Sequence, residues 1–239
     1  MGTETIQPVN IARNLGVWID RELSMKQHVV KVAGACFHQL RHLRQIRRRV
    51  GREVTTRLVL ALVMSRLDYC NSLLAGLPAS TVNILQRVQN AAARLICDLK
   101  PCEHVTASLK QLHWLPVKQR VQYKQCMIMY SIHFGLAPLY ITELVSTVAA
   151  QTSRPGLRSA DTTNYVQPRT RTKFGERAFL YAGPAVWNLL PDDLRRTPTI
   201  NSLKRKLKTY LFHLCFYLIL FFIFLLRIDI CTAPMFLFL

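Results

Sequence analysis

Acidic side chains are scarce in this chain: 13 Asp and Glu stand against 32 Lys and Arg. Glycine is scarce as well, with nine in 239 residues. Phosphate cradles made of backbone N–H groups therefore have little material, and neither a Walker loop nor a dinucleotide-binding glycine pattern occurs. The G-x-S-x-G elbow and the H-E-x-x-H helix are also missing, which removes the common hydrolase and zinc-protease readings. The one pair of adjacent acids, Asp192-Asp193, follows Leu190-Pro191. A polymerase holds magnesium with carboxylates on a strand turn. This pair instead sits where a helix should begin, and Asp suits that place. The seven cysteines are odd in number and scattered. Cys97 and Cys102, with His104 and His113 nearby, lack the second tight pair that zinc sites show. No metal, cofactor or catalytic residue is expected. Met1–Ile11 lacks the apolar core of a secretory leader, so reduced thiols and an intracellular setting, nucleus or cytoplasm, are expected.

What is abundant is positive charge and apolar helix. The formal net charge is +19, and half the residues are hydrophobic. From Thr209 onward the only full charges are Arg227 and Asp229, which cancel, so the whole excess lies in residues 1–208. Such an excess favours polyanionic partners, nucleic acid or an anionic membrane surface.

The period of the apolar residues predicts a mainly α protein, a helical bundle with one short N-terminal strand at 13–20, an irregular basic segment and a C-terminal apolar helix. Residues 25–50 read as an amphipathic helix with Val29, Val32, Cys36, Leu40, Leu43 and Val50 inward, ended by Gly51. Residues 53–75 read as a second helix, apolar all round and so buried. Ser80 should cap a third helix, with Ile84, Leu85, Val88, Ala91, Ala92, Leu95 and Ile96 inward, that ends at Pro101. A short helix near 105–112, a helix at 117–134 led by Pro116 and stopped by Gly135, and one more short helix at 139–149 follow. Residues 151–176, rich in Thr, Ser, Arg and Pro, read as an extended basic segment. A compact Ala178–Leu194 piece and a helix from Ile200 complete the soluble part.

The cations fall into two sets. On the 25–50 helix Arg41, Arg44 and Arg48 lie within about 60° of each other, opposite the apolar face, and Arg47, Arg49, Arg52 and Arg57 are close in sequence. Arg154, Arg158, Arg169, Arg171, Lys173 and Arg177 form the second set. Guanidinium groups fork onto phosphate oxygens and stay charged. Arg41, Arg44, Arg48, Arg52, Arg154, Arg158, Arg169, Arg171 and Lys173 are the candidate nucleic-acid contacts. Six such contacts would make log K fall with log salt at a slope of about −5. His28, His38 and His42 ride the same helix as solvated or phosphate-touching groups. Trp18, Trp114 and Trp187 read as core residues, with base stacking open to one of them. Residues 211–226 carry one imidazole and no full charge; as a helix they span about 24 Å, a little short of the hydrocarbon core of about 30 Å.

Several ordered stretches carry a resemblance. They are Arg13-Asn14-Leu15-Gly16-Val17-Trp18-Ile19-Asp20, Arg66-Leu67-Asp68-Tyr69-Cys70-Asn71, Leu85 to Ile96 (LQRVQNAAARLI), Leu112-His113-Trp114-Leu115-Pro116-Val117, Arg154 to Ser159 (RPGLRS), Phe174 to Phe179 (FGERAF) and Tyr181 to Pro191 (YAGPAVWNLLP). Over residues 13–212 the chain resembles the C-terminal third of reverse transcriptases of LINE-type, non-LTR retrotransposons of the L2/CR1 kind. The resemblance implies that Leu15–Asp20 is a strand leaving the palm, near the primer grip. It also implies that the helices after it form a thumb holding a template–primer duplex by its backbone, and that the later ones form a connector. The family's catalytic aromatic-Ala-Asp-Asp turn is absent, and Asp192-Asp193 does not match it; the segment that does the chemistry should lie before Met1. The expected organisation is a palm-edge remnant at 1–20, thumb-like helices at 21–100, connector helices at 101–150, the basic segment and C-terminal helical piece at 151–208, and a hydrophobic tail at 209–239.

The expected function is that of a truncated, non-catalytic piece of a reverse transcriptase, binding RNA or RNA–DNA hybrid through phosphate contacts, with no small-molecule substrate. The alternative is a tail-anchored membrane protein inserted through residues 211–226.

Overall fold

The structure is a computed structural model that describes residues 9–100, 102–151 and 163–218. Its architecture is mainly α. The N-terminal strand expected at 13–20 is instead an antiparallel hairpin, β1 (Ile11–Asn14) and β2 (Val17–Asp20), with Asn14 opposite Val17. The two-residue turn puts Leu15 at φ 45° and Gly16 at φ 82°; positive φ at both centres matches the twist of the strands it joins. Leucine rarely takes that conformation, which hides the turn from a pattern reading. The Tyr69 hydroxyl, donating to the Leu15 carbonyl at 2.5 Å, holds the turn from outside.

Asp20 ends the hairpin and organises the next element. Its carboxylate accepts from the Ser24 hydroxyl and from the Met25 N–H at 3.3 Å, just ahead of α1 (Lys26–Val59). Partial burial pushes this carboxyl up, but the bonds from Ser24 and Met25 outweigh it and leave it below the usual value. Inside α1, Gly51 at φ 76° and ψ 177° breaks the helical path, so the span is two helices joined at the expected glycine. Val29, Cys36, Leu40 and Leu43 are buried as the period predicts; Val32 and Val50 are half-buried.

The second expected helix departs from its reading. It passes from α1 through a π turn at Leu60–Met64 into α2 (Ser65–Asp68), and Cys70 at φ 51° then turns the chain into a 3-10 turn at Asn71–Leu74. Nor is it buried all round: Val59, Val63 and Leu67 face the core, while Val54 and Leu60 are exposed. The third helix, α3 (Ala79–Cys97), starts after Pro78, so Ser80 lies in its first turn instead of capping it. It stops at Asp98, in the left-handed conformation at φ 57°, before Pro101 is reached. α4 (Thr106–Gln111) and α5 (Val117–His133) follow as expected, α5 after Pro116 and before Gly135 at φ 66°. In place of one helix at 139–149 there are two short ones, α6 (Leu139–Thr142) and α7 (Val148–Gln151). Between them Thr147 bridges to Tyr165 from the later segment.

α8 (Phe179–Asn188), α9 (Asp192–Arg195) and α10 (Ile200–His213) close the described chain, with a π turn at Leu214–Leu218. The Thr199 hydroxyl caps α10 by accepting from the Ser202 N–H at 3.4 Å. Asp192 and Asp193 do open a helix, but the Asp192 carboxylate pairs with Arg195 instead of capping. Two hydrophobic clusters result. One joins the hairpin, α1, α3 and α4; the other gathers Tyr130, Trp187, Leu203 and Leu207 from α5, α8 and α10.

Polar clamps fix the seam between them. The fully buried Gln89 amide donates to the Leu115 carbonyl at 2.8 Å, and Gln86 accepts the Val117 N–H at 2.9 Å. Arg120 of α5 makes a two-point ion pair with Asp68. Within the second cluster, Asn188 binds both backbone groups of Tyr165, at 2.9 and 2.8 Å, and the Trp187 indole donates to the Thr163 carbonyl at 3.0 Å. Among the described residues no helix is long and apolar enough to cross a membrane. Leu211, Cys215 and Phe216, from the start of the apolar tail, are buried in the core, and residues 219–226 lie outside the described residues.

Gly51→Ala isolates the backbone requirement at the α1 break. A Cβ there would meet nothing within 4 Å, so any loss is conformational. The expected loss is about 1–3 kcal/mol in denaturant unfolding; an unchanged midpoint would show that the break is not a constraint.

Candidate nucleic-acid interface

The outer face of α1 carries the first cation set. Arg41, Arg44, Arg48 and Arg52 are all exposed. The ion pairs among the described residues engage Arg47, Arg57, Arg120 and Arg195. Arg41, Arg44 and Arg48 take part in none of them. Arg47, half-buried, binds Asp98 at the end of α3. The Arg47 guanidinium, bonded to Asp98 and close in charge, with Arg48 adding to it, holds that carboxyl below its usual range. Arg52 leans on Cys97, its Nη2 3.9 Å from Sγ. The burial of Leu40 and Leu43 on the inner face fixes the outward direction of these side chains.

Of the second set, Arg169, Arg171, Lys173 and Arg177 are among the described residues. Arg154 and Arg158 lie outside the described residues. Arg169, Arg171 and Lys173 are exposed, but the segment they lead into packs near the start of α1. Phe174, Gly175 and Arg177 line one groove with Leu23 and Met25. Arg177 is a clamp there, donating to the Leu23 carbonyl at 2.7 Å. Lys173 directly precedes the groove-lining Phe174, and this end of α1 lies about 20 Å along the helix axis from Arg41.

A pattern reading missed a third group. Arg13 of β1, Lys31 of α1 and Arg66 of α2 line one cleft of about 420 Å³, with Trp18, Tyr69 and His28. Their spacing in the chain gives no local signal; the hairpin folding back on α1 assembles them. Trp18 is the one tryptophan outside the core: Trp114 and Trp187 are buried, while Trp18 is half-buried, with the Lys31 Nζ 3.2 Å from its ring centroid. His28 is not solvated as expected. The hairpin covers it, and its Nδ1 accepts the Trp18 N–H at 3.4 Å. His38 and His42 are exposed, with Nε2 atoms 3.3 Å apart.

No group of three or more His, Cys, Asp or Glu among the described residues is placed to hold a metal ion. Burial pushes the Cys36 and Cys215 thiols up to about 11 and Cys126 to about 12, so these sulfurs are poor nucleophiles at neutral pH.

Comparison of the chain with protein-family models, with curated proteins and with solved structures finds no match.

Burial lowers the proton affinity of His28 below the usual imidazole value of 6.5, and burial with the Arg195 charge does the same to His133. Below 6.5 the unfolded chain then binds more protons than the folded one. Stability is full above that value and falls as pH drops through it. Thermal unfolding across this window should show the fall, and His28→Gln should make it shallower. A midpoint independent of pH there would contradict the burial of these rings.

Proposed function

We propose that this chain is a helical nucleic-acid grip of the non-LTR reverse-transcriptase type, holding RNA or an RNA–DNA hybrid by its phosphate backbone through the outer face of α1. The observation that carries this reading is the outward placement of Arg41, Arg44 and Arg48, free of ion pairs among the described residues, on a helix whose other face is anchored in the core. A row of guanidinium groups on an anchored helix can meet a run of phosphates and releases counterions as it does so. No base reading is implied, since phosphate contacts position a protein without specifying sequence.

The reading assigns no chemistry to the chain. Its adjacent acids, Asp192 and Asp193, are exposed, and Asp192 is held by Arg195. Phosphoryl transfer requires carboxylates that hold divalent ions beside the reacting phosphate, and this pair is not disposed for it.

Titration of an RNA–DNA hybrid across salt tests the grip. With Arg41, Arg44 and Arg48 engaged, log K should fall with log salt at a slope of about −3. Replacing Arg41, Arg44 and Arg48 together by Gln should make the slope shallower by about 3. The same slope in both proteins would refute the assignment.

A further inference from the structure

The cleft between the hairpin and α1 has a different character from the exposed face. Arg13, Lys31 and Arg66 come from three separate elements and line one concave space. No acid is among the described residues that line it. Asp20, the acid of the hairpin, is engaged by Ser24 and Met25. Folding therefore gathers like charges that no acid among the described residues pairs with, and a concave wall focuses their field more strongly than a convex helix face does. The wall also holds aromatic surface, Trp18 and Tyr69. The turn that closes one side needs Gly16 for its φ of 82°, and the Tyr69 ring stands beside it at a distance that even a Cβ would meet as ordinary contact.

From this geometry we infer that the cleft is a pocket for a terminal phosphomonoester carrying a nucleoside, supplied by a free mononucleotide or by the 5′ end of a strand. A phosphomonoester bears more charge than an internal diester and presents three acceptor oxygens, suited to three cations drawn from three elements. The volume of about 420 Å³ is of mononucleotide size. Lys31 lies against the indole and would move onto the phosphate, leaving the Trp18 ring to meet the base. The site is separate from the Arg41–Arg48 face and does not depend on it.

The test uses the full chain and four probes: adenosine 5′-monophosphate, adenosine, and one short RNA with a 5′ phosphate or a 5′ hydroxyl. Binding is followed by tryptophan fluorescence, because Trp18 is the tryptophan outside the core. The phosphorylated member of a pair should bind about tenfold tighter than its partner. Lys31→Gln with Arg66→Gln should abolish that preference, with the circular dichroism melt confirming that the protein is folded. Replacing Arg41, Arg44 and Arg48 by Gln should leave the preference intact even where overall affinity for RNA drops. A preference seen with the mononucleotide identifies free nucleotide as a source; one confined to the RNA pair identifies the strand end. Equal binding within both pairs, or a preference that survives the loss of Lys31 and Arg66, overturns the inference.

Discussion

The seating of α1 in the core is the constraint on which the rest depends. Val29, Cys36, Leu40 and Leu43 remove one face of the helix from water, and the Cys36 thiol reaches the Val63 carbonyl at 3.9 Å to tie it to the π turn. Burying a side chain of this kind is worth about 1.5–3 kcal/mol, far more than exposed charges gain or lose by their placement. Packing therefore decides the rotation of α1, and the arginines go where packing sends them. Gly51 lets the chain bend away after Val50, keeping the row straight up to Arg48 and releasing Arg52 onto Cys97. Charge then matters through shortage: Asp98 neutralises Arg47, Glu53 pairs with Arg57, and Arg41, Arg44 and Arg48, without an ion pair among the described residues, are left to the solvent or to a polyanion.

The hairpin serves the same helix from its other end. Asp20 organises the entry to α1, Trp18 N–H meets His28, and Tyr69 from α2's end pins the turn. One stretch of a dozen residues thus sets where α1 begins, shields a neutral imidazole, and brings Arg13 beside Lys31 and Arg66. The second cluster is held to the first through backbone-directed amides, Gln86 and Gln89 on the Leu115–Val117 turn, and through Asp68 with Arg120. These contacts give the residues around Leu85–Asn90 and Leu112–Val117 a structural reason to occur together.

How much of this was legible in the chain depends on whether the cause was local. Gly51, Pro116 and Gly135 act on their own backbone, and the helix ends they predict are found where expected. The inward face of α1 follows from its period for the same reason. Leu15 at positive φ, the split of 139–149 by the Thr147–Tyr165 bridge, and the burial of His28 are imposed by partners distant in sequence. The outward Arg41, Arg44 and Arg48 could be read because they share one helix. Arg13, Lys31 and Arg66 could not, since only the folded hairpin makes them neighbours. Arg177, counted among the free cations by its composition, turned out to be bound to Leu23 because Gly76 and the groove beside it leave room for its stem.

The central claim is that position, not total charge, gives α1 its grip on a phosphate backbone. The direct measurement compares hybrid binding by two variants of equal net charge: Arg41, Arg44 and Arg48 replaced by Gln on α1, and the exposed Lys204, Arg205 and Lys208 replaced by Gln on α10. The account predicts a loss of affinity of about tenfold or more for the α1 variant and a several-fold smaller loss for the α10 variant. Equal losses would mean that any cations serve and that the seating of α1 has no part in binding.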